Sequence, residues 1–181
     1  MLLRSDSPEA RAGGGGGMIA LIGATDEQAQ QVCDKARENQ VLVCANFNAP
    51  GQVVLSGHKA ACERAATVAA EMGLRGTLLA VAGAFHSPLM AQAAARLGEA
   101  LAKTPIASPR CRVIANVTAE PHGSAPEGIR RLLVEQLTSP VRWAQSCVYL
   151  GANAVSGGQA DYIEVARSEE HTSELQSHSD L

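Results

Sequence analysis

The sequence predicts a mixed α/β fold in two parts: an α+β, ferredoxin-like βαββαβ subdomain over residues 17–81 and a helix-rich second part over residues 82–166. Three observations lead there. Between Met18 and Val81, short apolar runs alternate with stretches of helical period in the order of a split βαβ unit. Beyond Val81 the helical stretches dominate, and strand signals shrink to RVIAN at 112–116 and YIEV at 162–165. Hydrophobic residues at 46% against 18% charged place the chain among globular proteins, and with five aromatic rings the core must be built from Ala, Val, Leu and Ile.

Taken in order, MIALI (18–22) is a short buried strand. Thr25-Asp26-Glu27-Gln28 follows as a capping box, with Thr25 as N-cap and Gln28 at the third helical position. The helix it starts runs to about Asn39 and buries Ala29, Val32, Cys33 and Ala36. VLVCANF (41–47) and QVVL (52–55) are strands joined by the turn residues NAPG (48–51). Ser56-Gly57 is expected to open a second helix, from His58 to Met72, with Ala61, Ala65, Val68, Ala69 and Met72 on one stripe. TLLAV (77–81) is the fourth strand.

In the second part, Ser87 is a good N-cap and Pro88 sits where its missing N–H costs nothing. The helix ends near Lys103, with Leu89, Ala93, Leu97, Ala100 and Leu101 as its stripe. A Pro- and Gly-rich loop over 119–128 precedes helices at 129–138 and 141–150, separated by Ser139-Pro140. Residues 1–16 are expected to be a remnant with a Gly-rich linker. The run Gly13–Gly17 has no following lysine, so it does not fit a phosphate-cradling loop. Residues 167–181 are expected to be disordered and non-native, because SEEHTSELQSHSDL resembles a translated sequencing adapter. His171 and His178 are discounted as ligands on that ground.

Charge and cysteine usage bound the function. A formal charge of -3 gives no electrostatic case for nucleic acid or an anionic membrane. Five scattered cysteines without a CxxC pair suit reduced apolar residues in a cytoplasmic protein, and no metal site or cofactor is expected. The apolar runs are too short for a membrane span.

His86 lies in AGAFHSPLM, just before a capped helix. It suits three roles: a structural histidine, a residue of the helix entry, or a general base. Asn46, Asn48 and Gln52 flank Pro50-Gly51 and suit turn formation as well as ligand contact.

Four stretches in order, ANFNAPGQVVLSG (45–57), AGAFHSPLM (82–90), VIANVTAEP (113–121) and VEQLTSPVRW (134–143), together resemble malonyl-CoA:acyl-carrier-protein transacylase. The resemblance covers about residues 17–165. It implies that the βαββαβ subdomain is inserted into an α/β-hydrolase-like acyltransferase body, present here in part. It further implies that a malonyl group passes from malonyl-CoA, a substrate and not a cofactor, to the phosphopantetheine thiol of acyl carrier protein in fatty acid biosynthesis, through a serine acyl-enzyme. On that pattern His86 is the general base, and the backbone carbonyl of Gln136 orients it. Asn46, Asn48 and Gln52 match positions near the substrate cleft, and Arg4 matches the arginine that holds the malonyl carboxylate, although Ser5 and Pro8-Glu9 depart from the pattern around it. The nucleophile belongs in a G-x-S-x-G elbow, and no serine of this sequence has glycines at both flanking positions. The chain is therefore expected to be a fragment, inactive alone. The alternatives are a non-catalytic ferredoxin-like binding module and a truncated reading frame without a function.

Overall fold

The computed structural model describes residues 15–81 and 83–153. The strands and helices β1 (Gly16–Ile22), α1 (Asp26–Ala36), β2 (Leu42–Ala49), β3 (Gln52–His58), α2 (Lys59–Glu71) and β4 (Arg75–Leu78) follow one another in βαββαβ order. The four strands form one antiparallel sheet, ordered β4-β1-β3-β2.

Local chemistry sets the start and end of α1. The Thr25 hydroxyl accepts from the Gln28 N–H at 3.2 Å, and the Gln28 side-chain carbonyl accepts from the Thr25 N–H at 2.9 Å. Such a reciprocal cap stabilises a helix by about 1 kcal/mol. The buried residues of α1 are Ala29, Val32, Cys33 and Ala36, the predicted stripe. The helix stops at Ala36, short of Asn39, because Glu38 turns the chain with φ +49°. Arg64 of α2 covers that end, donating to the Ala36 carbonyl and to the Gln40 side chain, each at 2.9 Å.

Ser56-Gly57 does not open α2, as the sequence suggested. Both residues belong to β3, which runs on to His58. Gly57 pairs with Gly17 on one side and Leu42 on the other, and a Cβ there would collide with the Val41 carbonyl. The glycine serves close strand approach, not helix entry. Helix α2 then begins at Lys59, after His58, whose Nδ1 accepts from the Val41 N–H at 3.0 Å. The fourth strand is also displaced, to Arg75–Leu78. Leu79 and Val81 instead pack against the sheet.

The sheet is buried on both faces. Ile19, Leu21, Leu42, Cys44, Val53 and Leu55 pack against α1 and α2. Met18, Ala20, Ala45 and Val54 on the other face are covered by Leu79, Val81 and Phe85. The end of the glycine run takes part in this contact. Gly16 and Gly17 are strand residues, and a Cβ at Gly16 would lie 2.5 Å from the Ala84 nitrogen. The segment that leads to His86 can cross β1 only because position 16 carries no side chain.

The second part comprises a 3₁₀ turn (Pro88–Met90), α3 (Ala91–Ala102), the two-residue strands β5 (Ile114–Ala115) and β6 (Glu120–Pro121), α4 (Pro126–Glu135) and α5 (Trp143–Ala152). Of RVIAN, Ile114 and Ala115 form the strand, with Glu120–Pro121 of the expected loop as partner. Helix α4 starts three residues before Ile129, with Pro126 in its first turn. Arg130 of α4 donates to the Leu101 and Thr104 carbonyls at the end of α3, each at 2.9 Å. Helix α5 starts at Trp143, because Val141 is engaged elsewhere. Its N–H donates to the Ala45 carbonyl at 2.8 Å, and its carbonyl accepts from the Phe47 N–H at 2.9 Å. Val141 therefore closes the outer edge of β2 and ties the two parts together. Among the described residues no helix is long and apolar enough to cross a membrane. The expected strand at 162–165 and the expected tail at 167–181 lie outside the described residues.

Candidate active site

The site is built around His86, and the chain prepares its position on both sides. Before it, Phe85 packs on the sheet face formed by Met18, Ala20, Ala45 and Val54. After it, Ser87 is fully buried, its hydroxyl donating to the Ala84 carbonyl at 2.7 Å and accepting from the Leu89 N–H at 3.3 Å. The Ser87 carbonyl accepts from the Met90 N–H at 3.0 Å. Between these anchors His86 adopts φ +56°, a left-handed conformation uncommon outside glycine. The surrounding bonds sustain that conformation.

The ring meets Gln136 at the end of α4. His86 Nδ1 lies 2.9 Å from the Gln136 backbone carbonyl. A carbonyl oxygen only accepts, so this contact requires the proton on Nδ1, and in the neutral ring Nε2 then carries the lone pair. That is the tautomer in which a histidine can take a proton from a hydroxyl at Nε2. Of the residues singled out in the sequence, His86 and Gln136 are thus brought into direct contact from 50 positions apart.

The others are arranged less closely. Asn46 stands opposite Val54 in the β2–β3 register and beside Val141, and its buried side-chain oxygen has no hydrogen-bond partner among the described residues. Asn48 lies two residues further along β2 and lines a groove of about 450 Å³ with Pro50, Gln145, Cys147 and Val148. Gln52 starts β3 across the Pro50-Gly51 turn, paired with Ala49 and Ile22. Asn116 accepts from the Arg142 N–H at 3.2 Å through its backbone carbonyl. Arg4 lies outside the described residues. Val141 as the edge of β2 had no sequence signal, and Ser87 was legible as a cap but not as an anchor that also donates to the Ala84 carbonyl.

Comparison with known proteins is decisive here: the model of the acyl transferase domain matches residues 3–168. The chain belongs to the acyl transferase domain family. Among its relatives, the malonyl CoA-acyl carrier protein transacylase of Salmonella typhimurium is 40% identical over 148 residues, covering 81% of this chain and 48% of that protein. The crystal structure of the malonyl-CoA:acyl carrier protein transacylase of Xanthomonas oryzae superposes with a TM-score of 0.74 at 44% identity, over 77% of this chain and 44% of that one. A malonyl-transacylase solved in complex with its type II polyketide acyl-carrier protein superposes with a TM-score of 0.75 at 35% identity, over 80% and 47% of the two chains. The chain thus spans about half the length of the acyl transferases it matches.

Proposed function

We propose that this chain is the histidine-bearing part of an acyl transferase that moves malonyl from coenzyme A to the phosphopantetheine thiol of acyl carrier protein, in fatty acid biosynthesis. The observation that carries the proposal is the 2.9 Å contact between His86 Nδ1 and the Gln136 carbonyl. With Nδ1 held in that way, Nε2 accepts the proton of a serine hydroxyl as the serine attacks the thioester carbon. The protonated Nε2 then gives that proton to the departing coenzyme A sulfur, which leaves as the thiol, and the acyl group rests on the serine. In the second half Nε2 takes the proton of the carrier thiol as its sulfur attacks the acyl carbon, then returns that proton to the departing serine oxygen, which regenerates both groups. Asn46, Asn48 and Gln52 border the cleft, and Arg4 pairs with the malonyl carboxylate. The antiparallel order β4-β1-β3-β2 supports a ferredoxin-like subdomain at residues 17–81, set against part of an α/β-hydrolase-like body at residues 82–166. The cytoplasm is the proposed compartment.

No serine in the sequence lies in a G-x-S-x-G elbow, so the chain by itself has a base and no nucleophile. Incubated with malonyl-CoA, it is expected to gain no covalent malonyl by intact mass, and an adduct would show that the nucleophile is present after all. Supplied with the elbow-bearing segment of the Salmonella relative, it should form a malonyl-serine and transfer it to holo acyl carrier protein. His86→Ala should lower that transfer by about a thousandfold. Unchanged transfer by the variant would remove His86 from the mechanism.

A further inference from the structure

Three cysteines, Cys33, Cys44 and Cys62, lie in the core between the sheet and its two helices. Two of them touch. Cys33 on α1 and Cys44 on β2 bring their sulfurs to 3.9 Å, with Cys33 fully buried and Cys44 8% exposed. A disulfide requires about 2.05 Å between the sulfurs, so a small closure of α1 onto β2 separates the contact from a bond. We propose that Cys33 and Cys44 form an oxidisable pair, closed to a disulfide by hydroperoxides, that staples α1 to β2.

The chemistry suits the two positions. Cys44 is the sulfur nearer to solvent, and the hydrogen bond from the Cys33 thiol holds its own thiol below the ordinary range. The same contact, with burial second, holds Cys33 above that range, so it keeps its proton. Cys62, by contrast, is pushed up to about 11, chiefly by burial, and has no sulfur partner among the described hydrogen bonds. In the reaction the Cys44 thiolate attacks one oxygen of the peroxide. The O–O bond breaks, and the departing alkoxide or hydroxide takes up a proton. Cys33 sulfur then attacks the Cys44 sulfenic sulfur, the S–O bond breaks, and the hydroxyl leaves as water with the Cys33 proton. Two thiols lose two electrons and the peroxide gains them. The bond would anchor the strand that carries Asn46 and Asn48 and whose outer edge meets Val141.

The full chain, reduced, desalted and treated with hydrogen peroxide, is then alkylated under denaturing conditions and mapped by mass spectrometry. Three of the five cysteines should be alkylated, and one peptide pair should link Cys33 to Cys44, lost again on adding dithiothreitol. The same treatment of the urea-unfolded chain should give mixed pairings. Alkylation of both Cys33 and Cys44 after oxidation of the folded chain would overturn the proposal, whatever Cys111 and Cys147 do. So would equal selectivity for the pair in urea, since proximity along the chain would then explain it. The variant Cys62→Ala should retain the link, and loss of the link in a folded Cys62→Ala chain would also count against the assigned pair.

Discussion

At the scale of single residues, Ser87 shows how much the position of His86 depends on its neighbours. A left-handed backbone at a non-glycine residue costs on the order of 1 kcal/mol or more and persists only where its surroundings impose it. The Ser87 hydroxyl supplies two of those constraints, to the Ala84 carbonyl and from the Leu89 N–H. Ser87→Ala removes both hydrogen bonds, including the one to the buried Ala84. It should lower stability by about 1–2 kcal/mol in urea titration, and should let the His86 ring leave Gln136, read as faster modification by diethyl pyrocarbonate. A variant as stable and as slowly modified as the parent would show that the hydroxyl is incidental. The sequence made the cap legible, because Ser before Pro at a helix start is a local signal. It could not show the left-handed turn, which arises from where Phe85 and Gln136 sit in space. Through the family resemblance, the sequence also pointed to the Gln136 contact; spacing alone would not have found a backbone carbonyl 50 residues away.

At the scale of elements, local rules held where elements are bounded by their own residues and failed where a neighbour decides. The α1 stripe and its capping box were fully legible, since both lie within one helix. The end of β3 was not, because Ser56-Gly57 has the composition of a helix entry and only Val41, from β2, makes the glycine necessary. Val141 is a second case: its helical surroundings gave no hint that it pairs with β2. This pairing joins the two parts, so it is a sensitive place to cut. Val141→Pro removes the N–H that donates to the Ala45 carbonyl at 2.8 Å. The buried Ala45 would be left with an unmatched acceptor, at a cost of about 1–3 kcal/mol. Amide exchange at Phe47 should accelerate while that of β1 is unchanged. Equal acceleration at both would mean that the edge pairing does not mark a boundary between the two parts.

For the whole molecule, burial is distributed unevenly. The largest fully buried apolar side chains, Ile19, Leu21, Val32, Cys33, Val53, Leu55 and Cys62, belong to the βαββαβ part. Among the described residues beyond 90, the buried apolar ones are Ala94, Ala115, Ala119, Ile129 and Leu132. Several large apolar side chains in the second part face solvent instead, with Trp143 at 55% and Val148 at 72% exposed. The 3₁₀ turn before α3 shows the same: Leu89 is 40% exposed although its spacing marks it for burial. Hydrophobic burial stabilises at roughly 25 cal/mol per Å², so the two parts should differ in local stability. Hydrogen exchange should therefore find its slowest amides in β1, β3, α1 and α2, with α3, α4 and α5 opening at lower free energy. Loss of protection in α5 should come early and without loss in β1. Uniform protection across residues 18–152 would contradict this, and would mean that Val141 and the Phe85 contact couple the second part to the first strongly enough to compensate for its thin core.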